Sequence, residues 1–379
     1  MSLRHSISTL AIATLLSTSG CAFITGLTAV GGADASAFTV NMEDYSVKKI
    51  SLSTEPSTDS LCPGSTLQVR VLAEAVELKT STSVPLETAA NGASAAESRG
   101  KMDPIEFAMA ARGGTITDGV FTANPEPFAT LLGFDIKATY GLDTSKTVVQ
   151  YFAPDYSCFK LVGLRGPSGN SGSWGAQGSS NGGAGGMGGP GGPGSPGPDV
   201  IAVATIVQTP LYDRVGLIKV SPTEELTLFD LDSGITVLAQ GGQGGPGGTG
   251  GRGGEGPQPE GTGGPGGPGG VGGPGGGGGR VLLILDERYP ELADVIGIDV
   301  SGGASGSGGF GGKGGPGAPP FSPCSGCKTT HTGKRGSNGP SGSEGDIVGS
   351  EGRAEVRHEN IAEHFTELPT GIRILGDSE

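Results

Sequence analysis

The chain is poor in aromatic residues, in basic runs and in long apolar stretches. It holds one Trp, six Tyr and twelve Phe in 379 residues, so any core is built mainly from Val, Ile, Leu and Ala. No cluster of Lys and Arg occurs and the net charge is −14, which argues against nucleic acid and against electrostatic docking to anionic lipid. No GxxxxGK[ST] is present, because Gly312-Lys313 is followed by Gly314. Gly306 to Gly311 matches GxGxxG, but in a chain with 76 glycines this is expected by chance, and no helix is predicted after it. The GGxGxD aspartates of a calcium-binding β-roll are missing. Only His331, His358 and His364 lie beyond the first 20 residues, and no Ser/His/Asp or paired-carboxylate constellation stands out. These absences favour a non-enzymatic protein with no cofactor and no metal.

What is abundant is glycine. With 27 prolines it makes up about 27% of the chain, a level at which low-complexity character is suspected. The excess lies in three tracts, each keeping a three-residue beat, turning once and keeping it again. Gly241 onward reads GGQ-GGP-GGT-GGR-GGE, breaks at 256–262, and resumes as GGP-GGP-GGV-GGP. Glycine falls at 166, 169, 172, 175 and 178, then Ser179-Ser180-Asn181 precedes GGA-GGM-GGP-GGP. The third tract runs GGA-SGS-GGF-GGK-GGP from Gly302 and returns with glycine at 333, 336, 339, 342 and 345.

Three residues per turn is the repeat of the polyproline II helix, so the tracts read as six extended arms in three hairpins. That helix makes no internal hydrogen bonds, and its amides must bond to neighbours or to water. Where two glycines occupy each turn, neighbours can approach closely and the third residue must point outward. Four arms are GGx (182–193, 241–255, 263–276, 302–316) and two are Gly-x-x (166–178, 333–345). Only outermost rods tolerate two side chains per turn. Consecutive arms are therefore predicted to be neighbours, with the 241–276 hairpin in the middle. Fifteen residues would form a rod of roughly 46 Å. Collagen needs uninterrupted parallel chains and is disfavoured. A disordered Gly/Pro linker shares the composition but does not explain the midway turns. The arrangement resembles the polyglycine II bundles of phage tail-fibre tip adhesins and the glycine-rich region of anaplastic lymphoma kinase. In the phage proteins loops at the bundle tip bind the receptor. By that resemblance Ser180, Asn181, Gln258, Glu260, Phe321, Lys328 and His331 are the candidate ligand contacts. Trp174 lies mid-arm on the outer side and is expected to cover a neighbouring arm rather than stack on a sugar.

The first 20 residues, with Arg4, an apolar run from Ile7 to Leu16 and small residues before Cys21, form a secretory signal. Thr18-Ser19-Gly20-Cys21 resembles the bacterial lipobox, with Thr18 where lipoproteins usually carry Leu. The resemblance implies a lipid on Cys21 and a place on the outer membrane or cell surface. Cleavage after Ala35-Ser36-Ala37 is the alternative. With Cys21 lipidated, four cysteines remain, suited to disulfides Cys62–Cys158 and Cys324–Cys327. Cys324, Cys327 and His331 fall one ligand short of a closed zinc site, and nothing helical supports redox chemistry at the CxxC.

Short period-two runs predict strands: Phe38–Met42, Val47–Leu52, Leu67–Leu78, Ile105–Met109, Phe134–Tyr140 and Thr147–Phe152. A second set is Phe159–Leu164, Val200–Val207, Val215–Val220, Leu226–Leu231, Ile235–Leu238, Val281–Leu285 and Val295–Val300. Ala89–Arg99 reads as a flexible loop, and Ile361–Leu368 as a packing helix. Gly113 to Ala123 resembles the hairpin of bacterial Ig-like repeats, with Asp118-Gly119 supplying the turn. The chain is thus expected to be mainly β: a signal peptide (1–20), a tether (21–44), an Ig-like antiparallel sandwich (45–160), a second β-domain (161–358) and a C-terminal segment (359–379). The second β-domain carries arms at 166–198, 241–279 and 302–349 that form a polyglycine II bundle. The expected partners are the membrane through the lipid, a cell-surface glycan or protein receptor reached by the turns, and further copies of the chain; nucleic acid is not expected. Adhesion or recognition is the expected work, and a self-associating surface layer or matrix is the alternative.

Overall fold

A computed structural model describes residues 39–90, 92–320 and 332–375. The signal segment, Cys21 and the candidate residues Phe321, Cys324, Cys327, Lys328 and His331 lie outside the described residues. The described chain is mainly β, in four sheets.

Two of these sheets form the first domain. Strands β1 (Tyr45–Glu55) and β3 (Thr66–Glu77) pair antiparallel, with β4 (Ser83–Glu87) also on β3. The hairpin β6 (Gly114–Thr117) and β7 (Val120–Ala123) completes this sheet beside β3. Asp118 (φ 55°) and Gly119 (φ 73°) make its turn, both in the left-handed region that a two-residue hairpin turn requires. The facing sheet is β2 (Ser60–Leu61), β9 (Thr147–Pro154), β8 (Phe134–Tyr140) and β5 (Phe107–Arg112). Alternation along β3 buries Leu67, Val69, Val71, Ala73 and Ala75. These residues pack on Phe134, Ile136, Phe152, Phe107 and Tyr140 of the other sheet, each large side chain contributing about 1.5–3 kcal/mol. Cys62 and Cys158, 96 residues apart, form a disulfide that ties β2 to the exit from β9.

Some local expectations fail. The predicted strand at Phe38–Met42 gives way, over its described residues, to a 3-10 turn from Met42 to Asp44 capped by Asn41. Strand β5 starts at Phe107 because Asp103 and Pro104 begin a 3-10 turn. The flexible loop expected at Ala89–Arg99 contains a helical turn, α1 (Ala95–Ser98), closed by a reciprocal Ser94/Glu97 capping box.

In the second domain, β10 (Leu161–Arg165), β14 (Ile235–Gln240) and β16 (Ile296–Asp299) form a parallel three-stranded sheet. Facing it are β11 (Asp199–Gln208), β15 (Arg280–Asp286) and β17 (Arg353–Glu359), also parallel. Strands β12 (Val215–Ser221) and β13 (Glu225–Phe229) and the short β18 (Arg373–Ile374) extend this second sheet antiparallel. Val162, Val237, Ala239, Ile235 and Ile296 meet Val200, Ala202, Ala204, Leu283 and Leu285 between the sheets. Each glycine hairpin leaves a strand of the first sheet and returns into a strand of the second. The chain therefore makes three similar circuits.

The outer face of the larger sheet is covered by the first domain (Leu131, Tyr156) and by the C-terminal segment (Ile361, Phe365, Ile374). Residues 362–364 make one 3-10 turn instead of the expected helix, and His358 sits on β17.

Candidate functional site

The site is built by the arms: 1 (166–178), 2 (183–198), 3 (241–256), 4 (261–279), 5 (302–318) and 6 (333–352). Glycine amides donate sideways every third residue. Arm 1 donates to arm 3 (Gly169 to Gln243 O, Gly172 to Pro246 O, Gly175 to Thr249 O, each 2.8 Å), and arm 3 donates to arm 5 (Gly247 to Ser307 O, Gly250 to Phe310 O, 2.8 Å). In the same way arm 2 donates to arm 4 and arm 4 to arm 6. The two parallel layers, 1-3-5 and 2-4-6, are joined by antiparallel bonds such as Gly245 to Gly192 O and Gly270 to Gly248 O, both 2.8 Å. These layers continue the two parallel sheets. Between the sheets, side chains fill a gap of about 10 Å. Between the inner arms, 2 to 5, there is only backbone, so the layers close to hydrogen-bond distance.

Arms 3 and 4 each bond four neighbours, arms 2 and 5 three, and arms 1 and 6 two. The two Gly-x-x arms are the two outer ones. Inside, a Cβ has no room: one built on Gly248 or Gly267 would overlap a neighbouring carbonyl oxygen. The third residue of each GGx turn makes no lateral backbone donation, which suits Pro190, Pro246, Pro265, Pro268 and Pro316, whose nitrogen has no hydrogen.

The first two turns, and the ends of arms 5 and 6 that flank residues 321–331, lie at one end of this bundle. Gly182 N–H, closing the first turn with φ 75°, donates to Glu255 O at 2.6 Å, at the mouth of the second. The second turn has a cis Gln258–Pro259 bond, Glu260 at φ 60° and a closing bond from Gly261 to Pro257 O (2.8 Å). The end of arm 5 joins them through Gly256 to Pro316 O (3.0 Å) and Ala318 to Gly261 O (2.9 Å). Ser180, Asn181, Gln258 and Glu260 are brought together there, all exposed. At the opposite end, Asp299 of β16 accepts from Ser301 N–H (3.0 Å) and from the Gln240 side chain, tying arms 3 and 5 at their base. The backbone and hydroxyl of Ser301, together with Gln240, pull its carboxyl below the usual range despite partial burial.

Trp174 covers nothing. It is 85% exposed, and Phe310, which the sequence alone did not single out, is 78% exposed. The signal was available: both occupy the third, outward position of their turns in arms of the same phase. Among the described residues no group of three or more His, Cys, Asp or Glu could hold a metal ion, and no helix is long and apolar enough to cross a membrane. Comparison with protein-family models, curated proteins and solved structures found no match.

Proposed function

We propose that this chain is a non-enzymatic, exported surface lipoprotein, held by a lipid on Cys21, that recognises a receptor through the turns at the end of a polyglycine II bundle. The reading rests on the lateral bonds Gly182–Glu255, Gly256–Pro316 and Ala318–Gly261, which gather the first two turns and the end of arm 5 onto one end of a stiff support. The first domain packs near the far end of β11, where Tyr212 Oη donates to Pro154 O (2.7 Å). An anchor on that side would present the turns away from the membrane. Binding residues on loops held by a rigid scaffold are a common solution.

The test uses the full chain with 257–260 and 321–332 replaced by short Gly-Ser turns, measured for binding to whole cells. Loss of binding with an unchanged melting transition supports recognition by the turns. Retained binding refutes it.

A second reading, self-association, is favoured by the outer face of layer 2-4-6. Met187, Pro190, Pro193, Pro265, Pro268, Val271 and Pro274 project there with no acidic side chain among them. Sedimentation that grows with protein concentration and is abolished by Met187→Glu with Val271→Glu would support that assembly.

A further inference from the structure

The opposite face, formed by layer 1-3-5, has a different chemistry. The three arms are parallel and share one repeat, so equivalent positions project to the same side. Gly175 donates to Thr249 O and Gly250 to Phe310 O. Trp174, Thr249 and Phe310 each precede the glycine of their arm that occupies the lateral-donor position, and so form one transverse row. Hydrogen-bonded neighbours lie about 5 Å apart, which puts the two exposed rings about 10 Å from each other with Thr249 between them. One turn nearer the tip, about 9 Å along the rods, comes the row Gln177, Arg252, Lys313. One turn nearer the base comes Ser171, Pro246, Ser307. All of these except the half-buried Thr249 are exposed.

We propose that this face binds an acidic polysaccharide, with pyranose rings stacked on Trp174 and Phe310 and a carboxylate-bearing sugar paired with Arg252 and Lys313. The C–H edges of a pyranose match the negative face of an aromatic ring. A flat backbone lattice holding two such rings on stiff rods suits an extended sugar chain, and Gln177, Ser171, Thr249 and Ser307 supply donors and acceptors for its hydroxyls. The charge requirement comes from the surroundings. The chain carries −14 overall, yet this face has Arg252 and Lys313 against Glu255 alone. Neither Arg252 nor Lys313 makes an ion pair among the described residues. Guanidinium and ammonium groups bind carboxylates through charge-assisted hydrogen bonds. The site is separate from the turns and stands or falls without them.

Trp174 is the single tryptophan, so its emission reports the site directly. The full chain is titrated with a hexuronate oligosaccharide and with a neutral glucan of equal length. The expected result is a blue shift with the uronate, weakened roughly tenfold or more by Phe310→Ala, as truncation of an aromatic anchor does. Arg252→Gln with Lys313→Gln should weaken the uronate alone and remove its sensitivity to about 1 M salt, where the Debye length is roughly 3 Å. Each replaced side chain is exposed while its backbone keeps the lateral bonds, so these variants fold. A chain with residues 257–260 replaced should bind as before, which separates this site from the turns. No shift with the uronate overturns the proposal. So does equal binding of both sugars unaffected by the charge variant, or an emission shift that follows protein concentration alone, which would mark a contact between copies.

Discussion

Gly248, in the middle of arm 3, is the sharpest point at which to disturb the bundle. A Cβ there would overlap the Ser173 carbonyl oxygen and lie 2.7 Å from its carbon and 2.9 Å from Gly172 C. Carbon atoms in contact sit at about 3.5–4.0 Å, so arm 1 must retreat by roughly 1 Å. That displacement strains the bonds from Gly172 to Pro246 O and from Gly175 to Thr249 O, each 2.8 Å. Losing both costs about 2 kcal/mol, and the overpacking adds about 1–3. Reduced freedom of the unfolded chain offsets roughly 0.4–1 kcal/mol. Gly248→Ala should therefore destabilise by about 2–5 kcal/mol, lowering the melting temperature of this domain by roughly 4–20 °C in calorimetry. Thr249→Ala, one residue on and facing outward, should stay within about 0.5 kcal/mol of the parent. If the two variants melt together, the close packing of glycine backbones is refuted.

Replacing Cys62 and Cys158 with Ser should cost the first domain about 4–5 kcal/mol in the chain-entropy model for a 96-residue separation, read as a lowered melting transition that reductant no longer shifts. Gly119→Ala places a Cβ in a left-handed turn 3.3 Å from Val69 O and should cost about 1–2 kcal/mol in urea unfolding. Asp286 is fully buried and accepts hydrogen bonds from Thr205 Oγ1 (2.6 Å) and from Arg288 Nε (2.9 Å) and Nη2 (2.8 Å). Burial raises its carboxyl, but the hydrogen bonds from Arg288 and Thr205, with the charge of Arg288, outweigh burial and hold it below its ordinary value. Because the folded value is depressed, its stabilisation is present above the unfolded value of about 3.9 and is lost as pH falls below it. Asp286→Asn should thus destabilise at neutral pH, with the gap to the parent narrowing below about pH 4 in pH-dependent melting.

Much of the fold is local, and that part is legible from residue order. Strand β8 runs from Phe134 to Tyr140 as its alternation indicates, and the turn at Asp118-Gly119 follows from the need for two left-handed residues. The change from a two-residue to a three-residue beat marks where strand becomes arm, as at Arg165-Gly166. Pairing between distant segments is not written locally. Nothing in Leu161–Arg165 announces a parallel partner at Thr236–Gln240, because a parallel pair is joined by a long crossover and no short turn fixes its register. Strand β17 is hidden for another reason: Arg353, Glu355, Arg357 and Glu359 charge one side, the other offers only exposed Ala354, Val356 and His358, and arm 6 delivers the strand beside β15. Its charges also suit an edge, where they discourage pairing with another chain. At α1 the Ser94-x-x-Glu97 signal was present, but its small polar surroundings carried no helical periodicity. Of the candidate site, the convergence of the turns could be expected from arm order, whereas the Trp174–Phe310 row required knowing which arms share a layer.

The most direct test of the bundle is residue-resolved amide hydrogen exchange over 166–352. The bonding scheme predicts slow exchange at Gly245, Gly248, Gly267, Gly270 and Gly309, whose N–H groups are bonded, and fast exchange at Arg252, Val271, Phe310 and Lys313, whose N–H groups face outward without a lateral acceptor. That three-residue alternation would be the signature of rods bonded side to side. Uniformly fast exchange through the glycines, at the rate of an unfolded peptide, would contradict the account.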